Sequence, residues 1–191
     1  MITYRISNPA FAQVPVNFLQ SILEGLVFTS STGQELPIFT DIYPLVEKGT
    51  GELTSDNPLF YIGGKDFEAT NTNDRKDSIA FFANRDGTTV EARTNLARFN
   101  LSLILAFRTD YFELNNRNIK AQIVALIAQR LTMLPKVSGL TVYDNKENIL
   151  QPLGFAQGEF DFDASFAGAR FDFTIWDNTC FSGVISNKSF C

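Results

Sequence analysis

Over residues 96–109 apolar and polar side chains alternate in strict register. Phe99, Leu101, Leu103, Leu105 and Phe107 project one way, and Arg98, Asn100, Ser102 and Arg108 the other. A period of two over this length predicts a half-buried strand. Directly afterwards, residues 117–134 place Ile119, Ile123, Leu126, Ile127, Arg130 and Leu134 near one stripe, the spacing of a helix lying on a sheet. A long strand feeding such a helix is the unit around which the remaining segments must be arranged.

Upstream, the spacing of Phe18, Leu19, Ile22, Leu23 and Leu26 predicts an amphipathic helix over about residues 14–26, with Pro15 in its first turn and Gly25 weakening its end. Residues 29–33 form a Ser/Thr/Gly turn. Residues 36–46 read as an extended edge segment interrupted by Pro37 and Pro44. Residues 47–58 and 68–77 read as loops, with a short strand at 59–62 between them. Residues 78–83 are apolar, and Asp86-Gly87 is the dipeptide that closes hairpins, so 88–93 is expected to return alongside 78–83. The whole stretch 36–93 therefore reads as insertion-like. After Pro135 come a short strand at 139–143 and a polar turn at 144–148. Residues 158–166 and 169–176 then alternate on either side of Ala167-Gly168 and predict a C-terminal hairpin, followed by a tail at 177–191. The sum is a single α+β domain over 1–191. Its expected form is a mixed, mostly antiparallel sheet flanked by two main helices, at about 14–26 and 117–134.

Composition narrows the function classes. The chain has 191 residues, long enough for one sizeable core. Nineteen phenylalanines against five tyrosines and one tryptophan point to a Phe-lined core or to subunit contacts, because Phe can only pack. A net charge of −5 argues against a protein that wraps nucleic acid. The absence of histidine removes the commonest general base and metal ligand together. Cys180 and Cys191 read as free thiols, although a bridge between them stays open. Residues 1–10 lack the regions of a signal peptide, and no apolar stretch reaches the length of a membrane span.

Four carboxylates stand out. Glu159, Asp161 and Asp163 alternate with phenylalanines, and Asp172 falls on the following strand. They read either as a divalent-cation or acid/base cluster, or as the polar face of a half-buried strand whose repulsion Arg170 partly offsets. Alternation alone produces this pattern, which favours the second reading. Arg98 and Arg108, on the polar side of the central strand, read as surface or interface residues with the capacity to touch phosphates. Tyr61-Ile62-Gly63-Gly64-Lys65 lacks the earlier glycine and the following Ser or Thr of a phosphate loop. Gly49-Thr50-Gly51 lacks the context of a dinucleotide site. No catalytic residue, cofactor or metal is therefore expected.

The order of elements resembles the tail-terminator and related neck proteins of tailed bacteriophages. The matching segments are a helix at 14–26, a variable strand-and-loop region, the strand Arg98-Phe-Asn-Leu-Ser-Leu-Ile-Leu-Ala-Phe107, a helix at 119–134, and strands ending in Arg170-Phe-Asp-Phe-Thr-Ile-Trp176. The resemblance implies a virion protein assembled in the bacterial host cytoplasm. It would form a homo-oligomeric ring of six copies at the head–tail neck or tail end, meeting other neck, tail and portal-associated proteins, with DNA passing through the lumen without specific binding. Under it Glu159, Asp161, Asp163, Asp172, Arg98 and Arg108 become channel-facing or interface residues, with no membrane contact. The alternatives are a small-ligand or peptide-binding domain and, more remotely, a metal-dependent enzyme built on the acidic stripe.

Overall fold

The computed structural model describes residues 9–39, 41–43, 46–47, 59–63, 66–69, 78–85, 89–91, 96–108, 112, 118–149 and 166–178. Its centre is a pair of thirteen-residue strands, β9 (Leu96–Arg108) and β11 (Phe166–Asn178), antiparallel over their full length from Phe166↔Arg108 to Asn178↔Leu96. β10 (Val137–Tyr143) lies outside β11, while β7 (Ser78–Asn84) and then β3 (Asp41–Tyr43) continue the sheet beyond β9. β8 (Thr89–Glu91) also pairs with β9. Among the described residues only the β3–β7 pairing is parallel, so the fold is α+β with a mixed, mostly antiparallel sheet. Two smaller antiparallel sheets accompany it. One joins β1 (Val27–Thr29) to β2 (Glu35–Pro37), and the other joins β4 (Val46–Glu47), β5 (Leu59–Gly63) and β6 (Asp66–Ala69).

Both main helices pack on one face of the sheet. From α1 (Pro9–Leu23), Val16, Leu19 and Leu23 reach the core; from α2 (Ile119–Thr132), Ile119, Ile123, Ile127 and Leu131 do so at strict intervals of four. They meet Phe99, Leu101, Leu103, Leu105 and Phe107 of β9, Phe171, Phe173 and Ile175 of β11, and Phe82 of β7. Each buried Phe contributes about 1.5–3 kcal/mol of transfer free energy, so the Phe-lined core expected from composition is present here. Phe112 meets Phe107 and Phe28 edge to face, at 5.4 and 5.8 Å between centroids, which ties the β1–β2 hairpin to the central strand. That hairpin turns on Ser30, whose amide donates to the Gln34 carbonyl (2.8 Å) and whose hydroxyl accepts from the Gln34 amide (3.0 Å), with Gly33 at φ +80°.

Several expectations need correction. α1 begins at Pro9, so Pro9 and not Pro15 takes the first turn; Pro15 lies further in and is buried, at the cost of one helical hydrogen bond. In α2 the stripe runs through Leu131, whereas Leu126 and Arg130 are exposed. β9 is not half-buried: residues 101–107 are buried on both sides, including Ile104 and Ala106 on the face away from the main helices, which lie beside Phe81, Ile79 and Gly168 in the middle of the sheet. The 78–83/88–93 hairpin does not form. β7 and β8 lie in line along the same edge of β9, at Ser78↔Phe107 through Asn84↔Leu101 and then Thr89↔Arg98. The region 36–93 is therefore not a mere insertion, since it supplies β3, β7 and β8 to the central sheet. Ala167-Gly168 is not a hairpin link: both residues sit within β11, opposite Phe107 and Ala106. Of residues 144–148, read as a turn, the last three instead belong to α3 (Lys146–Ile149). Of the stretches 47–58 and 68–77 read as loops, Glu47 belongs to β4 and Glu68 and Ala69 to β6. Residues 48–58, 70–77 and 158–165, and those beyond Asn178 with Cys180 and Cys191, lie outside the described residues.

Gly139 (φ +65°) sits in the register shift between Ser138 and Thr141, a bulge on the outer strand of the sheet. A Cβ there meets no atom within 4 Å, so only the left-handed backbone resists substitution. Gly139→Ala is expected to cost about 1 kcal/mol, read as a lowered urea midpoint. Gly25→Ala, equally open and without a left-handed backbone, should be neutral or stabilising.

Candidate functional site

The face of the sheet opposite the two main helices carries the chain's polar chemistry. Alternation along β11 sends Arg170, Asp172, Thr174 and Trp176 to this face, and the register sets three of them against Ser102, Asn100 and Arg98 of β9. Each of these three cross-strand pairs makes a contact. Ser102 Oγ donates to Asp172 Oδ1 (2.6 Å), Thr174 Oγ1 donates to Asn100 Oδ1 (2.9 Å), and the Arg98 guanidinium lies over the Trp176 ring at 5.1 Å.

Around Asp172 the contacts close into a cluster. Arg85, just past the end of β7, donates from Nη1 to Asp172 Oδ2 at 3.1 Å, while its amide donates to the Asn100 carbonyl at 3.0 Å. Arg170 Nε lies 3.1 Å from Asp172 Oδ1, an ion-pair contact without the alignment of a hydrogen bond. Arg170 Nη1 donates to the carbonyl of Asn148 in α3, and its guanidinium stacks on Tyr143 at 3.9 Å. Arg170 and Asp172 are each only 4% exposed. One carboxylate thus holds β7, β9, β11 and, through Arg170, the α3 turn.

This arrangement corrects the reading of Asp172 as a channel-facing or interface carboxylate. Both its oxygens are occupied, by a hydroxyl and two guanidiniums, so it is placed neither to ligate a metal nor to accept a proton from a substrate. The offset by Arg170 expected from sequence is realised. Arg98 is exposed as expected, and Arg108 lies on the same face at the far end of β9, half-buried. Glu159, Asp161 and Asp163 lie outside the described residues. Among the described residues no three Asp, Glu, Cys or His side chains gather where they could hold a metal, and no helix is long and apolar enough to cross a membrane.

Sequence reasoning did not single out Arg85, Ser102, Tyr143 or Trp176 as partners in this cluster. Arg85 directly precedes the Asp86-Gly87 dipeptide that reads as a hairpin turn. The others become partners only once the register of β9, β10 and β11 is known, and alternation alone does not supply register. Compared with protein-family models, with curated proteins and with solved structures, the chain matches none of them.

Proposed function

We propose that this chain is a structural protein of a tailed-bacteriophage virion, a subunit of a homo-oligomeric ring at the head–tail neck or tail end that helps join tail to head around the DNA channel. The order α1, strand region, β9, α2, β11 is the order on which the resemblance to tail-terminator and neck proteins rests. The observation that carries the reading is the outer side of the helical layer. Leu126 of α2 and Met133, the residue that caps its C-terminus, are 38% and 64% exposed, and Phe18 of α1 is 41% exposed, beneath the Lys136 ammonium at 5.8 Å. Apolar side chains held outward on a rigid helix–sheet unit suit contact with neighbouring copies. A head-to-tail contact of this kind closes into a ring when the rotation per subunit divides a full turn.

The test is the solution mass of the full chain by light scattering, with electron micrographs of the same sample. Multiples of the 21.3 kDa protomer and ring-shaped particles are expected. A Leu126→Glu/Met133→Glu variant should fall back to the protomer mass with unchanged circular dichroism. A wild-type chain that stays at the protomer mass at every concentration overturns the proposal.

A further inference from the structure

The polar face holds more donors than its one described carboxylate can satisfy. Arg85, Arg98 and Arg170 share this face with Arg108 at its far end, and of the side chains described there only Asp172 is anionic. Arg170 is consumed by Asp172, the Asn148 carbonyl and Tyr143. Arg85 and Arg98 are not. Arg85, 26% exposed, gives Nη1 to Asp172 and leaves a buried Nε with no acceptor. Arg98 is exposed, rests on Trp176, and pairs with no carboxylate among the described residues.

Asn100 stands between the two arginines. It is bonded through its carbonyl to the Arg85 amide and is two residues from Arg98 on the same face of β9. Its side-chain oxygen is taken by Thr174, which leaves the amide nitrogen, a donor. Arg85, Asn100 and Arg98 therefore form a row of donors, with same-face neighbours along a strand about 7 Å apart, a span that long arginine side chains can close. An oxyanion between them supplies the counter-charge that Arg98 lacks and an acceptor for the Asn100 amide and the solvent-exposed edge of Arg85.

We propose that the row Arg85–Asn100–Arg98, beside Trp176, is a binding site for a phosphate group. Three donor-bearing side chains suit a tetrahedral anion with three or four oxygens better than a carboxylate with two. The Trp176 ring alongside offers a flat apolar flank to whatever carries the phosphate, as a nucleotide base would use. This site does not depend on ring formation, and the readout below differs from the mass measurement above.

Trp176 is the chain's single tryptophan, so its fluorescence reports on this site alone. The purified chain is titrated at low ionic strength with inorganic phosphate, a nucleoside monophosphate and a short oligonucleotide, and with citrate as a carboxylate probe. A saturable change with the phosphate probes is expected. Arg98→Gln, a substitution at an exposed position that leaves the Asp172 cluster intact, should weaken it roughly tenfold or more. Because that variant also alters the starting fluorescence, affinity is taken from the shape of the curve, and Arg98→Lys should restore part of it. Tighter binding of the nucleotide than of inorganic phosphate assigns the Trp176 flank to the base; equal binding assigns the site to the phosphate alone. The proposal is overturned if no phosphate probe gives a saturable change, if Arg98→Gln binds as the wild type does, or if citrate binds as tightly as phosphate.

Discussion

Asp172→Ala is expected to destabilise the protein by about 3–5 kcal/mol, the cost of breaking a buried ion pair from one side. The substitution leaves the buried Arg170 and the inner nitrogens of Arg85 without their shared counter-ion, and Ser102 Oγ without its acceptor. Against a typical domain stability of about 5–15 kcal/mol, a loss of that size shows directly in a urea unfolding curve at constant slope. The effect measures the uncompensated charge rather than the net worth of the cluster. A double replacement of Arg170 and Asp172 by apolar residues of similar volume should therefore recover much of the loss. Had Asp172 faced a channel, Asp172→Ala would leave the midpoint within about 0.5 kcal/mol of the wild type, and a result in that range removes the cluster as a structural pin.

Gly168→Ala is expected to cost about 3 kcal/mol, the upper end of the range for overpacking a well-filled interior. A Cβ at Gly168 falls 2.8 Å from the Leu105 carbonyl oxygen and 3.3 Å from Ile149 Cδ1. The first obstacle is backbone in the longest strand pairing of the sheet, where neither strand can shift without disturbing its other partner. The glycine is thus required by close approach, not by turn geometry. If Ala167-Gly168 were a hairpin link in open solvent, alanine there would cost little. Thermal or urea unfolding of this one variant distinguishes the two arrangements.

Periodicity made the main elements legible. Five alternating apolar residues located β9, isoleucines at intervals of four located α2, and residues 169–176 marked most of β11. All three patterns record burial that local geometry imposes. Misreadings fell where one residue type serves two purposes. Gly168 reads as a turn because glycine permits turns, yet here it makes room. Asp86-Gly87 reads as closing a hairpin, yet the strands on either side of it pair with the same third strand. The same turn signal hides the neighbouring Arg85.

A chain of this pattern was bound to become a sheet with helices laid on one face, because each apolar stripe must find another and the periods of two and four say which stripes exist. Which strands adjoin, and in what register, rested on contacts between residues far apart in the chain. Asp172 meets Ser102 across seventy positions and Arg85 across eighty-seven. Long-range pairing converts a carboxylate that alternation assigns to a solvent-facing row into the buried centre of a two-arginine cluster. The same pairing leaves Arg98 and Trp176 together at the surface.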